Sequence, residues 1–169
     1  MSIQDEIARL ATAERLFCLE SLLTGNETVR ALWLSQEVWE AVTPPYPADE
    51  AVRLSEFREF LDGFLEGGRF SVAENPDFKP SDAMIARVHP VKNEFWDFRV
   101  TAPKPGIRAF GAFAAYDTFV LLTWEYRGDI SDFDAEVDRC KHKWAELFNG
   151  VAPFKGNHLN EYLSNYWAV

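Results

Sequence analysis

The side chains of this sequence best suited to chemistry are two arginines flanking a turn. Between Glu94 and Arg127 the chain reads EFWDFRVTAPKPGIRAFGAFAAYDTFVLLTWEYR, and Arg99 and Arg108 stand on either side of a Pro103-Lys104-Pro105-Gly106 corner. If that corner joins two antiparallel strands in a suitable register, both guanidinium groups share one face of a sheet. Two planar, permanently charged forks side by side would hold an anion. The plainer reading is that each arginine pairs with a neighbouring carboxylate such as Asp97 or Glu125, as arginines at strand ends commonly do. Trp96 and Trp124 are in the same position: core packing is the commoner use of such residues, base stacking the rarer.

Other chemistry finds little support. The chain has no phosphate-binding glycine loop, no GxSxG elbow, no HExxH and no cysteine–histidine ladder. His89, His142 and His158 are far apart and share no metal-ligand spacing, and Cys18 and Cys140 form no CxxC pair. The acids Asp129, Asp132, Asp134 and Glu136 resemble part of a calcium loop, but its glycine and terminal glutamate are missing, so helix capping is preferred. No cofactor and no metal are expected.

Charge narrows the partners. The net charge is −10, which opposes general nucleic-acid binding, since that requires a surplus of cations to displace phosphate counterions. The distribution is uneven: residues 1–83 carry −9, residues 84–128 carry +2 and residues 129–169 carry −3. Only the segment containing the two arginines is positive. No apolar run of eighteen residues suggests a membrane span, and the N-terminus lacks the basic and apolar regions of an export signal, so a cytoplasmic protein is expected.

The elements that would position the arginines follow from periodicity. A chain of 169 residues, 47% apolar, fits a single domain over 1–169. Apolar spacing predicts a helix from Gln4 to Leu23. A second, capped by Asn26 or Thr28, would carry Val29, Leu32, Trp33, Gln36, Trp39 and Val42 on one stripe, and a third would run from Ala48 to Leu65. Strand-like runs then occupy Met84–His89, Phe95–Thr101, Ile107–Ala115 and Thr118–Glu125, with Arg69–Val72 as a short addition. Tyr116-Asp117 would close a tight hairpin. Ser131 would cap a last long helix ending before Gly150, and the tail from Pro153 would finish in a short helix.

The succession Trp96-Asp97-Phe98-Arg99, Gly106-Ile107-Arg108-Ala109-Phe110, Phe119-Val120-Leu121-Leu122 and then an amphipathic helix over Asp132–Phe148 resembles the RelE/ParE superfamily of toxin proteins. The likeness covers residues 84–148. It implies action on RNA at the ribosome or on a topoisomerase-like protein, an antitoxin-like partner, and, for the ribosome-dependent members, endoribonuclease activity. Cleavage by a ribose 2′-hydroxyl needs a base, an acid and positive charge for the phosphorane oxyanions. Under this resemblance Arg99 and Arg108 supply the charge, and Tyr126 and Arg127 occupy the place of the family's terminal catalytic or basic groups.

The expectation is therefore an α+β fold: a helical N-terminal layer (1–68), a mostly antiparallel sheet of about four strands (69–128), and a C-terminal helix with its tail (129–169). Two other functions stay open. One is a non-catalytic interaction protein of phage or mobile-element origin, with acidic helices binding a partner. The other is a small-molecule pocket between helices and sheet.

Overall fold

Three strands in the middle of the chain form the frame. The computed structural model describes residues 1–21, 25 and 28–169, and in it Phe95–Val100, Ile107–Ala115 and Thr118–Tyr126 make an antiparallel meander. Aromatic and β-branched residues at alternate positions suit these segments to a pleated surface buried on both sides. Tyr116 and Asp117 close the second hairpin, with Asp117 in the left-handed region at φ 54°. A bulge lies between Phe110 and Gly111, where a Cβ on Gly111 would come within 2.0 Å of the Val120 carbonyl oxygen; only glycine fits.

In chain order the elements are α1 (Ile3–Thr12), β1 (Phe17–Cys18), β2 (Ala31–Leu34), α2 (Gln36–Val42), α3 (Ala51–Leu65), β3 (Phe70–Ala73), β4 (Ile85–Arg87), β5 (Phe95–Val100), β6 (Ile107–Ala115), β7 (Thr118–Tyr126), α4 (Phe133–Phe148) and β8 (Tyr166–Ala168). The strands form one eight-stranded sheet in the order β1-β2-β7-β6-β5-β4-β3-β8. Pairing is parallel for β2 with β7, β3 with β4 and β3 with β8, and antiparallel elsewhere. The fold is thus α/β with a mixed sheet. The expected four-stranded, mostly antiparallel sheet is corrected by the parallel strands added on both sides of the meander.

The expected helical N-terminal layer is corrected as well. Residues 31–34 are a strand, not the start of a helix: Leu32 and Leu34 are buried while Ala31 and Trp33 are half-buried, a period of two. Their partner on β7 lies far along the chain, which a local pattern does not reveal. The first helix stops at Thr12, and Phe17-Cys18 pairs with β2. The ends expected at Leu22, Leu23 and Asn26 lie outside the described residues; Thr28 is described and caps no helix. Ser35 caps α2 instead, its Oγ accepting from the Val38 amide and donating to the Leu122 carbonyl. Asp132, not Ser131, caps α4.

The tail also departs from expectation. Leu159–Glu161 is a single 3-10 turn, after which Asn165, at φ 45°, turns the chain into β8 along the edge of β3. A left-handed residue there is incompatible with continuing a helix.

Each sheet face carries its own core. α2, α3 and the tail cover one face, where Phe57, Phe64, Trp96, Phe98, Phe113, Phe119 and Tyr162 are fully enclosed, with Phe98 stacked on Phe119 at 4.4 Å. α1 and α4 cover the other, with Leu10, Phe110, Val120, Leu122, Trp144 and Phe148. Burying one such side chain contributes about 2 kcal/mol. Arg30 ties the first face together: its buried guanidinium donates to the carbonyls of Phe64 and Ser164, lies 3.5 Å from Asp117 and stacks on the ring of Phe64.

Candidate anion-binding cleft

The register of the meander decides where the arginines go. Arg99 pairs directly with Arg108, and Arg108 with Glu125 on β7, so all three project from the face that carries α4. The turn after β7, Arg127–Asp129, folds back over the β5–β6 corner, and the Arg127 amide donates to the Gly106 carbonyl at 2.7 Å. This brings Arg127 beside the pair. Arg99, Lys104, Arg108 and Arg127, with Ser81 and Thr101, line a cleft of about 430 Å³. Three of the four residues expected from the sequence therefore meet at one opening.

The fourth does not. Along β7 the pleat turns Tyr126, like Trp124, toward α3, and the Tyr126 hydroxyl donates to Glu50 Oε1 at 2.5 Å beneath the guanidinium of Arg53. Burial and this carboxylate hold the phenol well above its ordinary pKa. Its side chain lies on the opposite side of the sheet from the arginines. Trp96 is wholly enclosed in the core and presents no stacking surface.

The cations differ in how far they are neutralised. Arg127 and Lys104 are exposed, and no side-chain hydrogen bond or ion pair is recorded for either among the described residues. Arg99 donates to the Pro80 carbonyl at 3.0 Å and forms no salt bridge among the described residues. Arg108 is nearly buried, with its Nε 3.9 Å from Asp97 Oδ2 and one Nη donating to its own strand at Ile107. Burial lowers its pKa to about 10, against the pull of Asp97, and Arg99 and Arg127 push the same way by repulsion. Glu125 forms no salt bridge with either arginine among the described residues; one of its oxygens accepts the Tyr126 amide.

Two further groups belong to this site. Asp97 is buried behind Arg108, and burial raises its pKa despite the attraction of Lys79, Arg99 and Arg108. Lys79 is lowered by burial against the pull of Asp97, with Arg99 and Arg108 adding to the shift, and its ammonium sits 5.1 Å over the Phe133 ring. In sequence Lys79 and Lys104 mark only turns; nothing local announces that the fold gathers them with the arginines. The lining contains hydroxyls and cations but no carboxylate, histidine or tyrosine. Such a set binds and polarises an anion; it supplies no obvious proton acceptor.

Elsewhere, His89 pairs with Asp77 at the surface, and Cys140 is buried with its thiol raised to about 12. Among the described residues no three His, Cys, Asp or Glu side chains are placed to hold a metal ion, and no helix is long and apolar enough to cross a membrane. No family model, no curated protein and no solved structure matches the chain.

Proposed function

We propose that the protein recognises the phosphate of an RNA ligand through Arg99, Arg108 and Arg127, as a divergent relative of the RelE/ParE toxins. The observation that carries this reading is the cross-strand pairing of Arg99 with Arg108, joined by an exposed arginine from the following turn around one opening. Three converging guanidiniums in a partly desolvated cleft suit the several oxygens of a phosphate, which can accept from more than one fork at once. With Tyr126 on the far side of the sheet, the support is for binding, and cleavage is not assigned to these residues. The net charge of −10 favours a short contact at this one basic patch over a long track along a polyanion.

The test is titration with a short single-stranded RNA at several salt concentrations. About three phosphate contacts give a slope of log K against log salt near −2, from roughly 0.7 ion released per contact. Arg127→Ala, at an exposed position, lowers that slope by roughly 0.7 without loss of fold. In cells, induced expression slows translation, and Arg99→Ala/Arg108→Ala abolishes the effect. Salt-independent binding, or an equal effect in the double variant, overturns the proposal.

A further inference from the structure

The anion cleft has a second lobe on the other side of the β5 end. On β5, β4 pairs with Trp96, Asp97 and Phe98, and the last link toward the strand end is the Arg99 amide to the Met84 carbonyl at 2.8 Å. Beyond it, Val100 to Ala102 leave an edge to which β4 adds no strand. Against that edge lies a cavity of about 400 Å³, walled by α3 and the turn that follows it. Arg99 and Thr101 border this cavity and the basic cleft alike, so the two adjoin around the end of β5.

The second lobe adds apolar and acidic groups to the arginines Arg69 and Arg99. Phe60 and Met84 give it a flat and adaptable apolar wall. Glu56 and Glu59 stand at its rim, exposed, and the side chain of neither makes a hydrogen bond or ion pair among the described residues. Gly63 lines it from the last turn of α3, where a Cβ would meet nothing within 4 Å. Glycine within a helix costs stability relative to alanine, and no tight contact at Gly63 demands it. Its effect is to keep the lobe open.

We infer that the two lobes together take a nucleotide, with phosphate on the arginines and, against Phe60 and Met84, a base whose exocyclic amino group donates to Glu56 or Glu59. This rests on the phosphate-binding reading of the first lobe and adds the identity of what is attached to the phosphate. Adenine, cytosine and guanine carry such an amino group and uracil does not, so the two carboxylates select among bases, while the aromatic wall tolerates any of them.

Titration of the full chain with ribose 5-phosphate, UMP, CMP, AMP and GMP, followed by the amide resonances of Gly63 and Gly106, tests it. The amino-bearing nucleotides bind ~10-fold tighter than UMP and ribose 5-phosphate, as a hydrogen bond to a charged acceptor provides. Glu56→Ala/Glu59→Ala, which leaves no side-chain acceptor at either position, removes that preference. Gly63→Leu, tolerated because the position is open, fills the lobe and brings every nucleotide to the level of ribose 5-phosphate, whose own affinity is unchanged. Equal binding of ribose 5-phosphate and the nucleotides overturns this inference and leaves the phosphate site standing. No binding of any of them overturns both.

Discussion

Asp97 faces Arg108 at 3.9 Å with one carboxylate oxygen, while its other oxygen is buried and accepts no hydrogen bond. The attraction is real but the carboxylate is poorly compensated, because the distance is long and the site is dry. Burial outweighs attraction, and the pKa of Asp97 is raised.

The sign of the pH dependence follows. Above about pH 4 the unfolded chain releases the Asp97 proton. The folded chain retains it until its higher pKa is reached, so this group lowers stability as pH rises through that interval. In Asp97→Asn the loss is absent. Urea unfolding near pH 4 finds the two proteins close, and at pH 7 finds the variant more stable; a variant less stable at pH 7 would show attraction to be the larger effect.

Tyr126→Phe separates the two faces of the sheet. Losing the bond to Glu50 costs about 1 kcal/mol of stability. Phosphate affinity in the arginine cleft is unchanged, since the hydroxyl lies across the sheet from it. A tenfold loss of affinity with an intact fold would return Tyr126 to the site.

Arg30 holds α3, the hairpin turn at Asp117 and the tail in one place. Arg30→Met keeps much of the stem that packs on Phe64 and Phe70 but leaves Asp117 without its buried partner and the carbonyls of Phe64 and Ser164 without this donor. The expected cost is about 3 kcal/mol in denaturant unfolding. A cost below about 1 kcal/mol would mean that water replaces the guanidinium.

Two glycines respond in opposite directions. Gly111→Ala drives a methyl group into the Val120 carbonyl and costs about 2 kcal/mol or more. Gly63→Ala meets nothing and gains about 0.5–1 kcal/mol through helix propensity. Thermal unfolding of both variants reads the contrast directly.

How far the sequence discloses this arrangement depends on how local each signal is. β6 lies where the alternating pattern places it, Ile107–Ala115, and β5 and β7 differ from expectation by one residue at one end each. The sharing of a face by Arg99 and Arg108 follows from that alternation and the corner between them. Tyr126 enters the candidate set through the resemblance alone; as the last residue of β7 it alternates with Glu125 and faces α3, whereas Arg127 lies in the following turn, where the backbone re-aims its side chain. β2 and β8 were misread because strands of three or four residues contain too few positions to distinguish a period of two from one of 3.6. Asp97 and Lys79 acquire their shared environment only when the segment before β4 packs over the sheet, a contact with no counterpart in sequence spacing.

The parallel seam between β2 and β7 sets the order of assembly. Ala31 meets Thr118, a residue 87 positions further along the chain, whereas the two hairpins of the meander close over a few residues each. Loop-closure entropy makes the hairpins early and the distant seam late. A refolding chain accordingly forms the arginine pair first and docks the β2 segment last. Its relaxation rate responds strongly to substitutions in the Phe95–Tyr126 meander and weakly to those in Ala31–Leu34, where changes register chiefly in the rate of unfolding.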